Sequence, residues 1–242
     1  MRRAFIAFLV LAWTGATDAQ APAKPLRILF VGNSLTYTGD IPGRVSKLAQ
    51  AMGRAAAVES VAYPGYSLED HWDDGRAAAA IRKGWDVVIL QQGTSARSPD
   101  RSQLLDYTRR FAKVIREAGA KPALYMVWPV SDRPRDFGAA IAAYREAAQA
   151  VEGMVIPVGE AWLRALSADK RLRLYSDPIH PSSLGADLAA ITIYLTLFPA
   201  GPQEFDEAFV AKIARVLEIP AERRDALLDA ATRAIDEPMA LK

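Results

Sequence analysis

The stretch Leu29-Phe30-Val31-Gly32-Asn33-Ser34-Leu35 decides how this chain is read. An apolar run stops abruptly at Gly-Asn-Ser, the pattern of a buried strand that ends in a tight turn. A hydroxyl at such a turn stands beyond the carboxyl end of its strand, where open α/β sheets hold their ligands. Far downstream, Ser176-Asp177-Pro178-Ile179-His180-Pro181 sets a carboxylate and an imidazole three residues apart. Serine, histidine and aspartate together can supply a nucleophile, its base and the group that orients the base. Either stretch alone is ordinary turn chemistry, so the pattern between them has to connect them.

Outward from the first strand, residues 26–31, the pattern alternates. Ile41, Val45, Leu48, Ala49 and Met52 recur at helical spacing, with Asp40 as cap and Gly53 as stop. Residues 57–62 read as a second strand that ends in Tyr63-Pro64-Gly65, and a helix beginning at Ser67 or Glu69 runs to Lys83. Residues 86–91 (Asp-Val-Val-Ile-Leu-Gln) are the clearest strand, apolar on both faces. Leu104, Leu105, Thr108, Phe111, Ala112 and Ile115 mark a helix ending near Gly119. A fourth strand over 122–128 is stopped by Pro129, residues 139–151 are helical, and 154–157 form a short fifth strand. Helices follow over 160–166 and 184–198, the latter with Leu184, Leu188, Ile191, Leu195 and Phe198 on one face. Residues 203–235 read as two amphipathic helices packed on the edge, separated by Pro220.

Strands alternating with helices, and strands that are almost continuously apolar, predict a parallel sheet covered on both faces. The expected fold is a three-layer α/β/α sandwich with a five-stranded, mainly parallel, doubly wound (flavodoxin-like) sheet. Residues 26–242 read as one domain, with 203–242 as a C-terminal helical extension. In this fold Ser34, Gly65 and the turn at 91–94 each follow a strand directly and share one rim.

Composition narrows the function. The 242 residues are 51% hydrophobic, enough to bury a full core. The formal net charge of +2, without a block of like charge, points away from nucleic acid as a partner. Arg2-Arg3, the apolar run 4–13 and the small residues at 16–21 form a secretory signal over 1–19, with cleavage after Ala19 or Ala21 and a linker at 20–25. The expected location is periplasmic or secreted, with no membrane span once the signal is removed, since no later segment has the ~20 apolar residues of a spanning helix. Cysteine is absent and the histidines are His71 and His180, so thiolate and histidine-rich metal sites are not expected.

A serine hydroxyl needs a base as it attacks, and histidine suits that role near neutral pH. His180 has Asp177 at a spacing that lets the carboxylate accept from one ring nitrogen while the other faces Ser34. His71, in Glu69-Asp70-His71-Trp72, has no comparable partner and reads as a packing or supporting residue.

These residues resemble the SGNH (GDSL-like) hydrolase superfamily. Gly32-Asn33-Ser34 matches its first block, Gly65 the glycine after strand two, and Asp177-x-x-His180 its last block before a C-terminal helix. The resemblance spans residues 26–198. It implies a serine hydrolase that needs no cofactor, with Ser34, Asp177 and His180 catalytic and an oxyanion hole of the Ser34 and Gly65 N–H groups. One block departs: the asparagine usual after strand three is missing from Gln91-Gln92-Gly93-Thr94-Ser95. Gln92 is the expected substitute donor, with Gln91 and Thr94 as the other candidates. Trp72, Trp128, Tyr66, Arg97 and Arg133 fall on or near the rim, and Tyr66 and Trp128 are the candidates for substrate contact. The expected substrate is a small-molecule or carbohydrate ester. The rival readings are an inactive binding or scaffold protein on this fold and a nucleotide-binding domain; the latter lacks a glycine-rich phosphate loop after strand one.

Overall fold

A computed structural model describes residues 24–201 and 203–240. Strands β1 (Leu26–Gly32), β2 (Ala56–Ala62), β3 (Val87–Leu90), β4 (Lys121–Tyr125) and β5 (Met154–Ile156) form one sheet in the order β2-β1-β3-β4-β5. Every neighbouring pair is parallel, so the expected mainly parallel sheet is parallel throughout. The proposed signal peptide at 1–19 lies outside the described residues. No described helix is long and apolar enough to cross a membrane.

The connections are α1 (Ser34–Tyr37) and α2 (Ile41–Ala51) after β1, α3 (Leu68–Asp74) and α4 (Arg76–Ile81) after β2, and α5 (Asp100–Glu117) after β3. Then come α6 (Phe137–Gln149) after β4 and α7 (Val158–Ala168), α8 (Ser183–Leu197), α9 (Glu207–Leu217) and α10 (Ala221–Asp236) after β5. The chain steps from β1 outward to β2, then back past β1 to β3. Right-handed crossovers therefore put α2 on one face and α3 to α6 on the other. α8 packs beside α2, while α5 packs beside α6. The reversal of strand order lies at the β1/β3 boundary, and Ser34 and Gln91 follow the ends of those two strands.

Four local features depart from the sequence pattern. The helix expected from residue 67 to 83 is broken at Gly75, which ends α3 at φ 74 and precedes α4. β4 stops at Tyr125 rather than at residue 128, because its neighbour β5 is only three residues long; Met126 N–H to the Ile156 carbonyl, 3.1 Å, is the last bond before the chain leaves the ladder. α8 is buried from Gly185 to Leu195 on all sides, not along one face, because the sheet side covers one flank and α7 and α10 the other. α9 and α10 accordingly lie over the helix layer, α10 against α7 and α8, instead of on the sheet edge.

Charge also reaches this layer. Asp187 of α8 is buried and pairs with Arg44 of α2, whose guanidinium also donates to the Gly39 carbonyl at 2.6 Å and to Ser183 Oγ at 3.2 Å. Burial pushes Asp187 up to about 6, with Arg44 opposing the shift. The folded protein holds this proton more tightly than the unfolded chain, in which aspartate titrates near ~3.9. The stability due to this group is therefore fully present below that value and is lost as pH rises through about 6. Scanning calorimetry should find that the melting temperature of wild type relative to Asp187→Asn declines between those two pH values and then levels off. A constant difference across that window would contradict the assignment.

Candidate active site

The site is assembled from three strand ends and one loop. Gly32 closes β1, and the Asn33 side chain caps α1 by accepting the Leu35 N–H at 3.0 Å. Ser34 is thereby the first residue of α1. After β2, Tyr63-Pro64-Gly65-Tyr66 turns with the Tyr66 N–H on the Tyr63 carbonyl at 3.3 Å. Gly65 has φ 70, the left-handed conformation a type II turn demands at its third position. Ser34, Gly65, Tyr66 and Gln92 border one cavity of about 270 Å³.

The loop before α8 brings the imidazole to the serine. Asp177 Oδ1 accepts the N–H groups of Ile179 at 2.8 Å and of His180 at 2.7 Å, folding the loop around the carboxylate. Oδ2 accepts from His180 Nδ1 at 2.7 Å. With its proton on Nδ1, the imidazole offers Nε2 as acceptor to the Ser34 hydroxyl, 2.9 Å away. The His180 N–H, then the Ile179 N–H and the ring, hold Asp177 down at about 2, so this carboxylate stays charged in any ordinary buffer. The sequence-predicted Ser34, His180 and Asp177 are thus within mutual hydrogen-bonding reach.

The loop is clamped to the segment after β4. Trp128 Nε1–H donates to the Ile179 carbonyl at 2.9 Å, Ser131 N–H to the Pro178 carbonyl at 2.8 Å, and the Tyr175 hydroxyl to the Pro129 carbonyl at 2.7 Å. This corrects the expectation that Trp128 contacts substrate. Its ring is 0% exposed and stacks on Trp162 at a centroid separation of 3.6 Å, so it braces the loop from below. Tyr66 does line the cavity. Trp72 packs on Phe111, Arg97 pairs with Asp136 and Arg133 is exposed; none of the three borders the cavity.

Gln92 lines the cavity, but its amide is engaged elsewhere. Oε1 accepts the Leu68 N–H at 3.1 Å, while Nε2 donates to Ser95 Oγ at 3.1 Å and to the Asp100 carbonyl at 2.9 Å. Both amide hydrogens are taken, and the Thr94 hydroxyl donates to the Trp128 carbonyl at 3.1 Å. Gln91 turns to the opposite side, beneath Asn33. His71 is wholly buried, donates from Nε2 to the Gly32 carbonyl at 2.7 Å, and has its pKa lowered by that burial. It supports the end of β1 as the sequence suggested. Ser67, Ser95, Gln103 and Ile179 also line the cavity without having been singled out in the sequence. Ser95, just past the strand-three turn, and Ile179, between Asp177 and His180, carried a positional signal. Gln103 carried none beyond its place in the first turn of a helix.

Fold and site define a class, the serine hydrolases built on a parallel α/β/α sandwich. No protein-family model and no curated protein matches the sequence. Solved structures do match. A protein from Slackia heliotrinireducens classed with the SGNH hydrolases is 26% identical, with a TM-score of 0.62 over 72% of this chain and 100% of its own. TesA is 20% identical with a TM-score of 0.57, over 72% and 98% of the two chains. Axe2, an acetylxylan esterase from Geobacillus stearothermophilus, shares the fold at 16% identity and a TM-score of 0.56, over 72% and 95%. The chain has the fold of the SGNH (GDSL-like) hydrolase superfamily, and these likenesses support a serine ester hydrolase of that type.

The clamp can be tested on its own. Tyr175→Phe removes the hydroxyl that holds Pro129 and leaves the ring in place. Urea denaturation should show a loss of about 1 kcal/mol. An unchanged midpoint and slope would mean that the bond contributes nothing.

Proposed function

We propose that the protein is an exported serine esterase that transfers an acyl group from an ester to water. The observation that carries this reading is the unbroken hydrogen-bond chain from the Ser34 hydroxyl through His180 to Asp177. Ser34 Oγ attacks the ester carbonyl as its proton passes to His180 Nε2. Asp177 holds the Nδ1 tautomer and stabilises the imidazolium. The Ser34 and Gly65 N–H groups receive the oxyanion. His180 then returns the proton to the leaving alcohol, water attacks the acyl-serine with the imidazole again as base, and the free acid departs. Gln92 enters as a cavity wall, since its amide hydrogens are already bonded.

The walls of the cavity support a reading of the substrate. A cavity of only about 270 Å³, with Leu35, Tyr66 and Ile179 beside the polar Ser67, Gln92 and Gln103, suits a short acyl group on a polar alcohol better than a long acyl chain. An acetylated carbohydrate fits that description, and the likeness to Axe2, an acetylxylan esterase, supports it. Export rests on the signal-like residues 1–19 and implies a periplasmic or secreted enzyme.

A fluorophosphonate should label folded protein at Ser34, as mapped by mass spectrometry, and labelling should vanish in Ser34→Ala and His180→Ala. Asp177→Asn should lower kcat on p-nitrophenyl acetate by on the order of 10² to 10⁴-fold. Activity should decline from the acetyl to the octanoyl ester. Folded wild-type protein that neither labels nor turns over esters would favour an inactive binding protein on this fold.

A further inference from the structure

The side chain of Gln91 is wholly buried and makes four hydrogen bonds, three of them to the turn and first helix that carry Ser34. Its Oε1 accepts the Asn33 N–H at 2.8 Å and the Thr36 hydroxyl at 2.7 Å. Its Nε2 donates to Asn33 Oδ1 at 3.0 Å and to the Gln92 carbonyl at 2.6 Å. Asn33 carries the chain onward, with Nδ2 donating to the Tyr66 carbonyl at 2.9 Å. Two side-chain amides in series, Gln91 and Asn33, therefore link the end of β3 to the turn before Ser34 and to the residue after Gly65.

The orientation of both amides is forced. Backbone N–H groups can only donate, so Gln91 Oε1 has to face Asn33 N–H and Asn33 Oδ1 has to face Leu35 N–H. Their amide nitrogens are left to point at Asn33 Oδ1 and at the Tyr66 carbonyl. Gly32 makes the approach possible. A Cβ at that position would stand 2.3 Å from Gln91 Oε1 and 2.4 Å from Thr36 Oγ1.

We propose that Gln91 is the positioning residue of the oxyanion hole, fixing through Asn33 the two turns whose Ser34 and Gly65 N–H groups receive the oxyanion. This inference rests on the esterase reading. Donors of this kind work because they are aimed before the charge develops, and small displacements forfeit much of the effect. Gln91 touches no substrate. It stands directly after β3 and acts there as a strut and not as a donor to the oxyanion.

The test uses Gln91→Glu and Gln91→Leu with p-nitrophenyl acetate turnover, fluorophosphonate labelling rate and melting temperature as readouts. Gln91→Glu keeps the shape and an oxygen for Asn33 N–H, but sets an acceptor against Asn33 Oδ1 and the Gln92 carbonyl. In both variants kcat should fall on the order of tenfold to a hundredfold, with the labelling rate falling in step. KM should stay within about threefold, because the oxyanion contacts that the loosened turns misaim are made only in the transition state. Folded variants with lower melting temperatures but kcat and labelling within about threefold of wild type would overturn the proposal. Should neither variant fold, Thr36→Val removes one bond to Gln91 Oε1 at constant shape. A several-fold drop in kcat at unchanged KM supports the strut, and unchanged kcat overturns it. Wild-type protein that neither labels nor turns over ester defeats the esterase reading itself, whereas an active wild type with fully active variants defeats this inference alone.

Discussion

A hydroxyl at position 34 and an imidazole 146 residues later have to meet within one hydrogen bond, and the architecture serves that meeting. Hydrogen bonds between flexible partners contribute little unless ordering has been completed elsewhere. Here the sheet does the ordering. β1 is the central strand of the reversal, buried from Ile28 to Gly32, and it delivers Ser34 at a fixed height. The Asp177 carboxylate gathers two backbone N–H groups before it meets the ring, so the imidazole is aimed by its own loop.

Much of this was legible in the chain. Strand ends are written in abrupt changes of polarity, which is why Ser34, Gly65 and the Gln91-Gln92 turn could be assigned to one rim. Asp177 and His180 were legible because their interaction is local, closed within one loop by backbone bonds that the spacing permits. The fold followed from alternation alone, since continuous apolar strands require cover on both faces.

The failures share a cause: they depend on which way a side chain turns. Trp128 ends an apolar run whether it faces a cavity or a core, and the indole's hidden partner, the Ile179 carbonyl, is 51 residues away. Gln91 and Gln92 are adjacent, so an extended backbone sends them to opposite sides, and nothing local says which side holds Ser34 and His180. Gly75 falls inside the stretch read as one helix, yet its positive φ ends one helix and starts another. α8 looked amphipathic because cover from α10 cannot be read from α8 itself.

The His180 imidazole and the Ser34 hydroxyl are held by different anchors. The His180 loop hangs on the segment after β4, through Trp128, Ser131 and Tyr175, whereas the Ser34 turn hangs on β3 through Gln91. Modularity is the consequence. Energetic effects of substitutions within one anchor are coupled, while those in separate anchors couple chiefly through the bonds that cross between them, Ser34 to His180 and Thr94 to the Trp128 carbonyl. The loop that borders the cavity with Ile179 can therefore change in sequence with less disturbance to the Ser34 turn than a change at Gln91 would bring. The walls of the cavity can be altered one module at a time.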